Sequence, residues 1–146
     1  MGVWDRERIR TKIGAVADGV GRVDPQQLKQ LLATLEGANS EEVFEGLFAA
    51  LTSDGRFVVQ ELAGRLLFEL APPCPRRDLD SIVRALLPAW ELSVEQVPRY
   101  FEREFGTELL HRAIRRVGVR DLSPDEERAL GAFGHWVHCS VAEPLP

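Results

Sequence analysis

With 146 residues, of which 45% are hydrophobic and 28% charged, the chain has a globular composition and enough length for a core of its own; folding at this size buries roughly 68–70% of the unfolded surface. A formal net charge of -5 argues against a dedicated nucleic-acid binder, which carries a basic footprint. No apolar run reaches the roughly 18 to 20 residues that cross a bilayer, and MGVWDRERIRTK lacks the apolar centre of a signal peptide, so the expectation is a cytoplasmic protein with Cys74 and Cys139 as free thiols.

Ile9, Ile13, Val16, Ala17 and Val20 recur at helical spacing and predict a first helix from about Asp5 to the glycines Gly19 and Gly21. Asp24-Pro25 opens a second, with aspartate at the cap, proline at the first helical position and Gln27 as the capping-box partner; Leu28, Leu31, Leu32 and Leu35 form its apolar face and Gly37 closes it. Asn39-Ser40 caps a third helix, where Glu41 and Glu42 suit the positive end of the dipole and Val43, Phe44, Leu47, Phe48 and Leu51 form the stripe. After the turn Ser53-Asp54-Gly55 comes FVVQELAGRLLFELA, Phe57 to Ala71, which is apolar round most of the helical wheel. Its polar remainder is the row Glu61, Arg65, Glu69 with Gln60 beside it, so neighbours are expected on most of its sides.

Pro72-Pro73-Cys74-Pro75 cannot continue that helix, because three of its four residues lack an amide hydrogen. Leu79, Ile82, Val83, Leu86, Leu87 and Trp90 define a fifth helix, disturbed near its end by Pro88. A turn at 93–96 leads to a sixth from about Val97, with Pro98 in its first turn and Tyr100, Phe101 and Phe105 inward. Gly106-Thr107 bends the chain into a seventh, with Leu109, Leu110, Ala113, Ile114 and Val117 as its apolar positions. Ser123-Pro124-Asp125-Glu126 is a capping box for the eighth, which buries Leu130, Phe133, Val137 and Val141. No segment alternates with period two, and the prediction is an all-α domain over 1–141 with a frayed tail at 142–146.

Taken in pairs, the helices start near Asp5, Glu41, Asp78 and Glu108, at spacings of about 36, 37 and 30 residues. The span Leu47 to Ala71, with a leucine-rich helix, a turn containing an aspartate, and Val59, Ala63 and Leu66 on the following helix, resembles a HEAT repeat. It departs from that family at Gln60, where an arginine is usual, and Trp90 and Pro98 break the pattern in the next pair. The resemblance implies a short α-solenoid of stacked antiparallel helix pairs, with an irregular helical bundle as the alternative.

Three groups of residues bear chemistry. His135 and Cys139 are four apart on the last helix with His138 adjacent, a spacing able to chelate zinc, but they fall opposite the Phe133 and Val137 stripe and no third ligand is fixed nearby; a solvated face is the favoured reading. Cys74 has Arg76 and Arg77 close by, which would lower its pKa if it were exposed, yet no positioned base accompanies it and a packed loop residue is expected. Arg99, Arg103, Arg112, Arg115, Arg116 and Arg120 crowd the sixth and seventh helices, and arginine forks recognise carboxylates and phosphates. Glu102, Glu104 and Glu108 are in place to neutralise many of them.

No Walker loop, dinucleotide fingerprint, HExxH, GxSxG or paired-carboxylate motif is present, and no cofactor is implied. The expectation is a non-catalytic protein-interaction module that docks a protein partner through the concave second-helix side of the pairs or the arginine face of the sixth and seventh helices. The alternatives are a thiol or metal-dependent enzyme using His135, His138 and Cys139, and nucleic-acid binding through the arginines. The separate acidic and basic patches also leave a homodimer open.

Overall fold

The computed structural model describes residues 3–19 and 23–142, with side chains described as far as Val137 in the last helix. Among these residues there are eight helices and no strand: α1 (Arg6–Gly19), α2 (Pro25–Glu36), α3 (Ser40–Ser53), α4 (Phe57–Leu70), α5 (Leu79–Leu86), α6 (Gln96–Phe105), α7 (Thr107–Gly118) and α8 (Pro124–Ala142). Gly21, the side chain of Val141 and the tail 143–146 lie outside the described residues.

Local chemistry sets most of the starts. Asn39 accepts from the Glu42 amide at 3.1 Å and Asp78 from that of Ser81 at 3.2 Å, each satisfying a donor that the first helical turn leaves open. Ser123 and Glu126 form the reciprocal box, at 3.1 and 3.0 Å. Asp24 caps α2 by accepting from the Gln26 amide at 3.0 Å, and the expected return bond from Gln27 is replaced by a place for that side chain on a cleft wall.

The helices stack in two rows. α1 packs on α3, α3 on α5 and α5 on α7; α2 packs on α4, α4 on α6 and α6 on α8. Within a row, contacts advance together along both helices: Arg6 meets Glu42 and Ile9 meets Gly46, while Gly64 lies against Val97 and Phe68 under Arg103. Between the rows α3 packs on α4 and α7 on α8, the latter antiparallel, with Gly118 near Leu130 and Gly134 near Ile114. One hydrophobic cluster runs through all eight helices. Its aromatic centre is Phe44, Phe48, Tyr100 and Phe101, where Tyr100 and Phe101 meet edge to face at 4.9 Å.

The apolar helix α4 packs against α1, α2, α3 and α6, which accounts for its composition. One of its polar residues departs from the expected surface row. Gln60 is fully buried, its amide nitrogen donating to the carbonyls of Leu51 (2.9 Å) and Asp54 (2.7 Å) while its oxygen accepts from the Glu91 amide at 3.2 Å. A buried amide is sustained when its bonds are made, and here it ties the α3–α4 turn to the α5–α6 link.

α4 ends at Ala71 in a left-handed conformation, φ 47°, a strained geometry for a residue with a Cβ. The proline loop that follows is held down firmly enough to sustain it. The Tyr100 hydroxyl donates to the Pro72 carbonyl at 2.5 Å, the Cys74 amide donates to Glu104 at 2.9 Å, and Arg76 forks onto Glu45 at 2.7 and 3.1 Å while lying over the Phe48 ring.

Candidate functional site

The six arginines of the sixth and seventh helices do not form one face. Arg99 and Arg103 belong to the even row: Arg99 pairs with Glu95 at 3.6 Å, and Arg103 donates to the Phe68 carbonyl at 2.7 Å with its guanidinium over the Phe68 ring. Arg112, Arg115, Arg116 and Arg120 lie on the odd row. Arg112 pairs with Glu108 at 2.7 Å, and Arg116 makes a fork onto Asp80 of α5 with contacts of 2.8 to 3.1 Å.

Of the three glutamates expected to neutralise the arginines, only Glu108 does so. Glu102 accepts from the Thr107 hydroxyl and Glu104 from the Cys74 amide. The carboxylate that answers Arg116 is 36 residues away on a stacked neighbour. Arg6 and Glu42, which bridge α1 and α3, are also 36 apart. Arg116 holds the Asp80 carboxyl below the usual carboxylate range, chiefly by direct hydrogen bonding, as Arg6 does for Glu42 and Arg56 for Asp54. In each case the folded pKa lies below the unfolded one. The pairs therefore contribute stability above the ordinary carboxylate pKa of about 4, and lose it as pH falls below that value through the folded pKa. Thermal melts should show a midpoint to which these groups give no pH dependence near neutrality and a decline on acidification, with Asp80→Asn removing part of the acid limb. A midpoint with the same acid limb in Asp80→Asn would separate Asp80 from that behaviour.

The α5–α7 seam gathers residues that the helix-by-helix reading left apart. Two neighbouring clefts open there. One, about 250 Å³, is lined by Arg77, Asp78, Leu79, Asp80, Phe105, Leu109 and Arg116; the other, about 380 Å³, by Asp78, Asp80, Ser81, Arg84 and Arg120. Arg77 and Arg84, absent from the predicted set, thus join the four arginines of α7 and its C-terminal end. Leu109, expected to be buried, is 51% exposed, and Phe105 is half-buried beside it. The apolar position Leu109 stays open because no helix among the described residues covers that side: α7 packs on α5, α6 and α8, and buries Leu110, Ala113 and Val117. Among the described residues Arg77, Arg84, Arg115 and Arg120 make no ion pair, although Arg120 is close enough to help depress Asp80. The seam therefore carries Arg77, Arg84, Arg116 and Arg120 against Asp78 and Asp80, with the Arg112–Glu108 pair and exposed Arg115 elsewhere on α7, on a chain whose net charge is -5.

Cys74 is buried and donates to the Arg76 carbonyl at 3.5 Å. Burial pushes its thiol up, away from the thiolate, and Arg76 spends its guanidinium on Glu45. The expected packed-loop reading of Cys74 agrees with this geometry. His135 is exposed on α8 against the Trp136 ring, opposite the buried Phe133 and Val137. The side chains of His138 and Cys139 lie outside the described residues, among which no cluster of three metal-ligating groups occurs. No helix among the described residues is long and apolar enough to cross a membrane. No protein family, curated protein or solved structure matches the chain.

Proposed function

We propose that the chain is a non-catalytic, HEAT-like protein-interaction module whose α5–α7 face receives an acidic segment of a partner protein. The observation that carries this reading is the arginine-rich seam with uncovered Leu109 and Phe105 at its centre. Exposed charge alone is an ordinary solvated face, but guanidinium forks surrounding an open leucine suit a segment that alternates carboxylates with apolar side chains. The apolar component favours a protein over a nucleic-acid backbone, which offers phosphates and no aliphatic side chain. The two-row stacking and the 36-residue separation of Arg6–Glu42 and Asp80–Arg116 support the repeat reading.

Arg84, Arg115 and Arg120 are exposed and make no ion pair among the described residues, so reversing them together to glutamate should leave the fold intact. Fluorescence anisotropy with a labelled peptide of alternating glutamate and leucine should give saturable, salt-sensitive binding that weakens by about tenfold or more in the combined variant. Equal binding of a lysine–leucine peptide, or an unchanged affinity in the variant, would remove the face from the hypothesis. Tighter binding of single-stranded oligonucleotide than of the acidic peptide would transfer the face to nucleic-acid recognition.

A further inference from the structure

A cleft of about 440 Å³ lies at the other end of the stack, between α1 and α2. That volume is within the range of built ligand sites, roughly 300–1,000 Å³. Arg8, Thr11, Lys12 and Ala15 follow one another along its α1 wall; Gln27, Gln30 and Thr34 line the α2 wall, with buried Leu31 below them. Each wall covers eight residues of helix, seven steps of rise, so the trough is about 10 Å long. Trp4 closes one end, with the Arg8 guanidinium 4.0 Å from its ring centroid.

The chemistry of this lining is one-sided. It holds two cations and no carboxylate, and Lys12 has no ion-pair or hydrogen-bond partner among the described residues. Opposite it, the amides of Gln27 and Gln30 likewise have no partner, while the Thr34 hydroxyl donates to the Gln30 carbonyl at 2.9 Å and retains its acceptor capacity. Paired donor–acceptor amides at one-turn intervals match the alternating N–H and C=O groups of an extended chain, of which about three residues span the trough. Apolar Leu31 and Ala15 line the same trough and suit a small aliphatic side chain, and the ammonium of Lys12 selects a negative charge.

We propose that the α1–α2 cleft binds an extended peptide segment carrying a carboxylate side chain, independently of the α5–α7 face. The test is amide chemical-shift mapping of the full chain, titrated with Ac-Leu-Glu-Leu-Ala-NH2 and with its glutamine analogue. The glutamate peptide should give saturable perturbations at Thr11, Lys12, Ala15, Gln30 and Thr34, with affinity about fivefold above that of the analogue. Lys12→Gln, at an exposed position, should abolish that preference, and Gln30→Ala should weaken both peptides. Absence of saturable shifts, shifts confined to other surfaces such as α5–α7, or equal affinity for the two peptides would each overturn the proposal.

Discussion

Replacing Gln60 with leucine should lower the unfolding free energy by about 3 kcal/mol. The substitution removes both donor bonds to the Leu51 and Asp54 carbonyls and the acceptor for the Glu91 amide. Leucine fills a similar volume, so the loss comes from backbone groups left without partners in a site that is closed to water, at roughly 1–3 kcal/mol for each fully buried one. Only the Leu51 bond is fully buried and the other two are partly so, which keeps the sum toward the lower end. For a chain of this length the corresponding fall in melting temperature is about 10 °C. Chemical denaturation measures the energy, and hydrogen exchange locates it: the Glu91 amide should exchange faster in the variant than in the wild type under native conditions. A loss below about 1 kcal/mol with unchanged Glu91 protection would mean that water or side-chain rearrangement replaces the glutamine.

Gly46→Ala should destabilise by about 2 kcal/mol, although alanine is the better helix former by roughly 1 kcal/mol. A Cβ at this position would stand 2.7 Å from the Cβ of Ile9 and 2.9 Å from the Arg6 carbonyl oxygen. Neither atom can swing aside by a rotamer change, so α1 must lift from α3 and loosen the packing of Ile9 and Ile13. The overpacking cost, about 1–3 kcal/mol, therefore outweighs the gain in propensity. Gly131→Ala supplies the comparison: a Cβ there meets nothing within 4 Å, and the change should stabilise α8 by about 0.5–1 kcal/mol. Parallel denaturation curves for the two variants should move in opposite directions. Gly46→Ala at or above wild-type stability would show that α1 is free to shift on α3.

The forks that join stacked helices lie on the odd row, beside same-helix pairs such as Arg10–Glu7 and Arg112–Glu108. On the odd row, arginine–carboxylate forks bridge α1 to α3 and α5 to α7, and Arg76 ties the proline loop to α3. On the even row, Arg65 and Arg99 bind back to Glu61 and Glu95 one turn earlier on their own helices, at 3.2 and 3.6 Å. These are half-exposed pairs whose separate contributions are small in water. Their value to the fold lies more in orientation, since bidentate forks hold one helix in phase with the next. Arg77, Arg84 and Arg120, which make no ion pair among the described residues, line the α5–α7 clefts, apart from the arginines that form structural pairs.

The helices and their order follow from the sequence by itself, as do the caps at Asp24 and Asn39, the box at Ser123 and Glu126, and the break at Pro72-Pro73. Each of these is decided by atoms within about four residues of one another along the chain, where propensity and side-chain reach suffice. The inward turn of Gln60, the exposure of Leu109, and the division of six neighbouring arginines between two faces were decided by the tertiary structure. So was the recruitment of Arg77 and Arg84 to the α7 arginines. These depend on how one helix is rotated against another some 36 residues away, and helical periodicity is silent about that phase. A glutamine among leucines reads as surface until its neighbours are in place; the three backbone groups that bond to it turn it into the core.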